Sequence, residues 1–96
     1  MIHEATERVR LMEMYFDKLL GAVNADPDLL KSDDTVKEML NKLKEYFESG
    51  MWLEDYELDE KGLSPEGLKR GVLSQDALYD FLENVNDVLN EIKKRG

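Results

Sequence analysis

The sequence contains no cysteine and a single histidine, His3. The lack of cysteine excludes disulfides and thiolate metal ligands, and it is consistent with a reducing cytosol, where we expect the protein to act. A histidine-activated nucleophile would depend on His3, which lies near a chain end where fraying is common. The glycines match neither the Walker spacing nor the GxGxxG pattern of phosphate-binding loops. We therefore predict that the protein is not an enzyme and binds no cofactor.

The sequence also lacks long apolar runs and an excess of basic residues. No run approaches the roughly 18 residues that cross a bilayer, and the opening MIHEATERVR has no signal-peptide core. Twenty-two acidic residues oppose 13 basic ones, for a net charge of −9. Such a surface repels phosphate backbones and anionic lipid heads. We expect a cytoplasmic protein with neither nucleic acid nor membrane among its partners, folded as one small domain over residues 1–96.

Apolar residues recur alternately three and four positions apart in three segments, a spacing that predicts amphipathic helices. The first helix should end at NADPD, because Pro27 cannot continue it. The second should begin near SDDTVKEML with Ser32, Asp34 or Thr35 as its N-cap, and end at Gly50. The apolar positions are Ile2, Ala5, Val9, Met12, Phe16, Leu19 and Val23 in the first helix and Val36, Leu40, Leu43 and Phe47 in the second.

The third helix has the most complete start signal. Ser74 is placed as the N-cap, and Leu73 and Leu78 have the spacing of a hydrophobic staple. Gly71 precedes this start, and we expect it to turn the backbone with a positive φ that other residues resist. The apolar positions of the third helix are Leu78, Phe81, Val85, Val88 and Ile92.

The connection 51–73 is long for a compact domain, so we expect it to have structure of its own. Trp52, Leu53 and Tyr56 can form one apolar face of a short helix, with Trp52 as the buried anchor. The sequence SPEG then predicts a single helical turn capped by Ser64.

The connection also contains EDYELDE, with five acidic residues in seven. Counted from Asp55, oxygen ligands fall at positions 1, 3 and 5 of an EF-hand loop (Asp55, Glu57 and Asp59), and Glu66 falls at position 12. Position 6, which needs glycine, is Glu60. We therefore predict no metal site from this pattern.

A solvated face, or exposed ion pairs, is the favoured interpretation of these acids. Lys69 and Arg70 are the cations expected to meet Asp55, Asp59 or Glu60. Arg70 is the first candidate for a residue that holds the connection in place, because its guanidinium can hold a carboxylate through two hydrogen bonds.

The stretch YFESGMWLEDYELDEKGLSPEGLKRGVLSQDALYDFLE resembles a bacterial family known as domain of unknown function 4298. The resemblance covers about 40 of the 96 residues in detail, and Gln75 departs from it where glutamate is expected. It implies a small, mostly helical, cytoplasmic protein, and it implies no activity. The matching positions are Tyr46, Phe47, Ser49, Trp52, Asp55 to Glu57, Asp59, Glu60, Gly62, Pro65 and Leu68 to Ser74.

These observations together predict an all-α fold. We expect a small antiparallel bundle of three main helices, with crossing angles near about 20° and one or two short helices in the connection 51–73. The first two helices should form a hairpin, and the third should return along them.

For function, we predict a non-enzymatic interaction or accessory module that acts through residues 51–74 on an unknown protein partner. The alternative is a homo-oligomerisation module, since the stripes of the first and third helices are wide for one small core. A carboxylate metal-binding protein is a distant third. The candidate structural or recognition residues are Trp52, Asp55, Asp59, Glu60, Lys69, Arg70, Gly71 and Ser74.

Overall fold

The computed structural model describes residues 2–62, 67 and 71–95. Over this part of the chain every regular element is a helix, which confirms the all-α fold class. The side chains of Ile2 and His3 lie outside the description, as do Ser64, Pro65 and Glu66. The elements are α1 (Ile2–Ala25), α2 (Leu29–Ser32), α3 (Asp34–Glu48), α4 (Met51–Glu60), a 3₁₀ turn (Gly71–Leu73) and α5 (Gln75–Arg95).

The start of α3 corrects the predicted N-cap. Asp33 has an extended backbone, and its side chain accepts a hydrogen bond from the Val36 N–H at 3.1 Å. The three residues predicted for this role lie within helices, Ser32 in the unpredicted α2 and Asp34 and Thr35 in α3. Because α2 keeps the chain helical up to Ser32, the first residue free to cap α3 is Asp33.

The other main helix ends are confirmed. The first helix ends at Ala25, before the proline, and α5 begins directly after Ser74. The Ser74 hydroxyl accepts a hydrogen bond from the Ala77 N–H at 3.4 Å, and both side chains of the predicted staple, Leu73 and Leu78, are buried. These signals act over a few residues, so the sequence was sufficient to place them.

The core lies where the three stripes meet. The first helix packs against α3, while α2 contacts both of them, which is compatible with the predicted hairpin. Phe16 of α1 and Phe81 of α5 make an edge-to-face contact, with ring centroids 5.3 Å apart. The buried apolar residues of α1, α3 and α5 include Ala5, Val9, Phe16, Leu19, Val23, Val36, Leu40, Leu43, Tyr46, Leu78, Phe81, Val85 and Ile92.

The predicted short helix in the connection is present as α4, but its inward face differs from the prediction. Trp52 is buried and Tyr56 is half-buried, whereas Leu53 is 51% exposed. Asp55 takes an inward position instead, with a fully buried side chain. The partners that make this arrangement possible define the site described next.

Candidate functional site

Trp52 joins α4 to the 3₁₀ turn that precedes α5. Its indole N–H donates a hydrogen bond to the carbonyl oxygen of Val72 at 2.9 Å. The ring lies edge-on to Phe47 of α3 and stacks on Tyr56, at centroid distances of 5.2 and 5.1 Å. The side chain is therefore buried with its polar N–H satisfied, as a tryptophan in a core requires. The prediction that Trp52 is a buried anchor is confirmed.

Asp55 joins α4 to α1 and α3 through three hydrogen bonds. Arg8 donates from Nε to Oδ2 at 2.9 Å and from Nη2 to Oδ1 at 2.5 Å, which makes a two-pronged guanidinium–carboxylate pair. The Tyr46 hydroxyl donates to Oδ2 at 2.7 Å. The expectation that Asp55 lies on a solvated face or in an exposed ion pair is wrong. We call Arg8, Tyr46 and Asp55 the buried acid cluster.

The electrostatics of this cluster favour a neutral phenol and a charged guanidinium. Burial of Tyr46, reinforced by its hydrogen bond to Asp55, raises the pKa of the phenol well above its usual range. The hydrogen bond to Asp55 also raises the pKa of Arg8. The Arg8 side chain is 26% exposed, so the cation retains some water while the carboxylate has none. The cluster thus holds one negative charge inside the fold by matching it with a cation and a donor.

Glu13, on α1, is buried like Asp55, and its carboxylate lies next to Gly71. Its Oε2 accepts a hydrogen bond from the backbone N–H of Val72 at 2.6 Å. A Cβ atom at Gly71 would lie 2.7 Å from Glu13 Oε1, closer than real contacts allow. Gly71 does not have a positive φ, so the predicted reason for this glycine is wrong. A side chain at position 71 would displace the Glu13 carboxylate that accepts from Val72, so glycine preserves this hydrogen bond.

Arg8 and Glu13 are the residues that the sequence analysis missed. Both are charged, but both have the spacing of the apolar stripe of α1. Arg8 lies between Ala5 and Met12, and Glu13 is four positions after Val9. A charged residue at a stripe position is a signal that the residue has a buried partner.

The other predicted acidic residues, Asp59 and Glu60, both lie on α4 but differ in exposure. Asp59 is half-buried on α4 and Glu60 is exposed at its end. The hydrogen bond from Tyr56 to Glu60 raises the pKa of that tyrosine. Lys69 and Arg70 lie outside the described residues, so their pairing with Asp59 or Glu60 stays a prediction.

The EF-hand pattern does not form a calcium loop. Asp55, Glu57 and Asp59 lie on the continuous helix α4, and both carboxylate oxygens of Asp55 already accept hydrogen bonds. Among the described residues there is no group of three side chains suited to hold a metal ion.

The outer surface around these buried contacts includes exposed apolar residues and shallow clefts. Met51 and Leu53, on either side of Trp52, are 47% and 51% exposed. A cleft of about 220 Å³ lies beside Met51, and a second of about 280 Å³ lies between α1 and the outer side of α4. The first cleft is lined by Arg8, Met12, Lys42, Glu45, Tyr46, Ser49 and Met51.

The chain belongs to the family described as a domain of unknown function (DUF4298), whose model matches residues 9–94. The match includes Glu13, Tyr46, Trp52 and Asp55 but begins one residue after Arg8. No curated protein and no solved structure matches the chain. Within the described part of the chain, no helix is long and apolar enough to cross a membrane.

Proposed function

We propose that this protein is a non-enzymatic interaction module that presents α4, within the segment 51–74, to another protein. The observation that supports the proposal is that α4 combines buried anchors with large exposed apolar side chains. Trp52 and Asp55 are buried, while Met51 and Leu53, on either side of Trp52, project into solvent.

The buried contacts of Trp52 and Asp55 give the exposed residues of α4 a defined position. Trp52 bonds to Val72 and Asp55 bonds to Arg8 and Tyr46, so that α4 is fixed against α1, α3 and the 3₁₀ turn. A buried guanidinium–carboxylate pair contributes little net stability but orients the groups that form it. A helix whose backbone is held in one position loses less entropy when a partner binds its exposed residues.

The exposed residues Met51 and Leu53 have the chemistry of a protein-binding surface. Leu53 offers apolar area, and Met51 borders a cleft with an adaptable thioether side chain that fits varied partner surfaces. The net charge of −9 supports a protein partner over nucleic acid or a lipid surface. A cytoplasmic setting is part of the same proposal.

A photo-crosslinking experiment tests this proposal. A benzophenone amino acid replaces Leu53 in the full chain, and in a control it replaces Asn90, which is exposed on α5. We expect a discrete protein adduct in native lysate from position 53 and not from position 90, and excess unlabelled protein should compete it away. Equal adducts from both positions, or none from position 53, would overturn the proposal. Mass spectrometry of the adduct then identifies the partner.

Homo-oligomerisation is the second candidate, and a separate observation favours it. Leu11 and Met14 lie three positions apart on α1 and are 41% and 43% exposed, while Leu20 is 37% exposed. Sedimentation equilibrium over a hundredfold range of concentration tests this idea. A dimer that Met14→Glu abolishes, and that Lys93→Glu at an exposed position of α5 leaves intact, would replace the first proposal. A monomer at all concentrations would exclude self-association through α1.

A further inference from the structure

We propose that α4 is a detachable strap, which opens about Gly50 and Gly62 as one unit while α1 and α3 stay packed. The inference goes beyond the proposed interaction function, because it concerns the isolated chain and needs no partner.

The boundaries of α4 are the first observation. Gly50 and Gly62 have φ values of 91° and 75°, in the left-handed region that glycine adopts readily. Both are exposed, and a Cβ atom at either would meet nothing within 4 Å. The backbone at both ends of α4 is therefore uncrowded and unusually free to change direction.

The attachment of α4 is the second observation. Only Trp52 and Asp55 of its ten residues are buried, whereas α3 buries four residues spaced along its whole length. The apolar residues of α4 point in several directions, so the helix has no continuous stripe to hold it to the core. Its buried contacts concentrate at these two residues, one turn apart, and Tyr56 adds a half-buried ring, so losing Trp52 and Asp55 removes the buried part of its attachment.

The nature of these attachments is the third observation. When the buried acid cluster opens, the carboxylate of Asp55 and the guanidinium of Arg8 regain water. The gain in hydration offsets much of the lost attraction. Trp52 is then the main apolar group that resists opening. An element with few buried apolar contacts belongs to the part of a fold that opens below the free energy of global unfolding.

Opening would have a specific structural consequence. It would uncover Tyr46 and Phe47 of α3 and the carbonyl of Val72, which α4 contacts in the closed form. The strap therefore controls access to an aromatic surface that is otherwise covered.

Native-state hydrogen exchange of the full chain, measured by NMR in increasing subdenaturing urea, tests the proposal. We expect amides 55–60 to share one opening reaction, sensitive to urea, that exchanges them at least 10-fold faster than the slowest amides of α3. Asp55→Asn should accelerate amides 56–60 by a further 10-fold, and the slowest amides of α3 by the same factor, because global unfolding also opens α4. Val85→Ala, in the core of α5, is the control: it should accelerate the slowest amides of α3 and leave amides 55–60 unchanged, because the opening of α4 keeps Val85 packed.

Two results would overturn the proposal. One is exchange of the α4 amides only by global unfolding, at the same rate as α3. The other is exchange by separate, urea-insensitive fluctuations of single amides, which would mean that α4 frays rather than opening as a unit. If Asp55→Asn does not fold, Trp52→Phe, which loses only the indole hydrogen bond and part of the ring, replaces it. The wild-type profile alone still distinguishes these cases.

Discussion

Helices α3 and α4 are neighbours in the chain, separated only by Ser49 and Gly50, yet they are held in the fold by different physics. The buried residues of α3 follow a regular three-to-four spacing, which places apolar side chains on one side. Those of α4 are an aromatic residue and a carboxylate, Trp52 and Asp55, while Leu53 between them faces solvent. A helix can therefore be positioned by a few specific polar partners instead of by a continuous apolar face.

The largest effect is expected from removing Trp52, the apolar anchor of α4. Trp52→Ala should lower the free energy of unfolding by about 3–5 kcal/mol, because a large buried ring and its hydrogen bond to Val72 are lost. The control is Leu53→Ala, an exposed position on the same turn, which should change it by no more than about 0.5 kcal/mol. Urea unfolding followed by circular dichroism measures both. Similar effects of the two substitutions would show that α4 does not depend on Trp52.

The second-largest effect is expected from removing the buried carboxylate of Asp55. Asp55→Ala should lower the free energy of unfolding by about 3 kcal/mol, at the low end of the range for broken buried pairs, since Arg8 keeps some contact with water. Glu57→Ala, at an exposed position of α4, is the matched control and should have little effect.

A combined variant tests the role of Asp55. Arg8→Met, Tyr46→Phe and Asp55→Leu together should recover most of the stability lost in Asp55→Ala, because apolar groups of similar volume often replace a buried ion pair at little cost and no hydroxyl is left without an acceptor. Additive losses from the three changes would contradict the coupling of these residues.

The third prediction concerns the phenol of Tyr46 in the buried acid cluster. Tyr46→Phe should cost about 1.5–3 kcal/mol near neutral pH, through the lost hydrogen bond to a charged acceptor. The folded-state pKa of Tyr46 is raised above its ordinary value of 10, so its contribution is fully present below about pH 10. As the pH rises further, the unfolded state releases the phenol proton and the folded state keeps it. The stability advantage of wild type over Tyr46→Phe should then fall by about 1.4 kcal/mol per pH unit.

The comparison with Tyr46→Phe controls for the remaining tyrosines, which both proteins share. A difference between the two proteins that stays constant from pH 8 to 11.5 would contradict the buried, hydrogen-bonded phenol.

The fourth and smallest effect concerns the turn to which α4 is bonded. Gly71→Ala should cost about 1–2 kcal/mol, because the new methyl group would meet the carboxylate of Glu13. Gly21→Ala is a matched control, since Gly21 is exposed on α1 with open space around it, and it should stabilise by about 0.5–1 kcal/mol. In a Glu13→Ala background the cost of Gly71→Ala should largely disappear. Thermal unfolding with calorimetry measures wild type and the four variants.

The parts of the fold that the sequence predicted well are those with local causes. The end of α1 before Pro27, the Ser74 cap and the burial of Trp52 depend on residues within one or two turns, or on a large ring that has to be covered. The N-cap of α3 was predicted one or two positions away from Asp33 because α2 was not foreseen. Four residues without a clear stripe give little signal of a helix.

The candidate site was predicted only in part. Trp52 and Asp55 were identified as candidates, but Asp55 was expected to be exposed and to meet Lys69 or Arg70. Nothing local distinguishes Asp55 from its acidic neighbours, since EDYELDE offers five carboxylates within seven residues. Its buried partner Arg8 is 47 positions away along the chain.

The sequence by itself determined the helices, most of their ends and the apolar faces that form the core, since these depend on spacings of three or four residues. Only the tertiary structure decided which acids are buried and why Gly71 is glycine. Removing a carboxylate from water is tolerated only where donors surround it. Those of Asp55 come from residues 9 and 47 positions away, and that of Glu13 comes from a residue 59 positions away. Local sequence patterns cannot show these donor–carboxylate pairs, because such pairs form only when the helices pack and bring separate segments together.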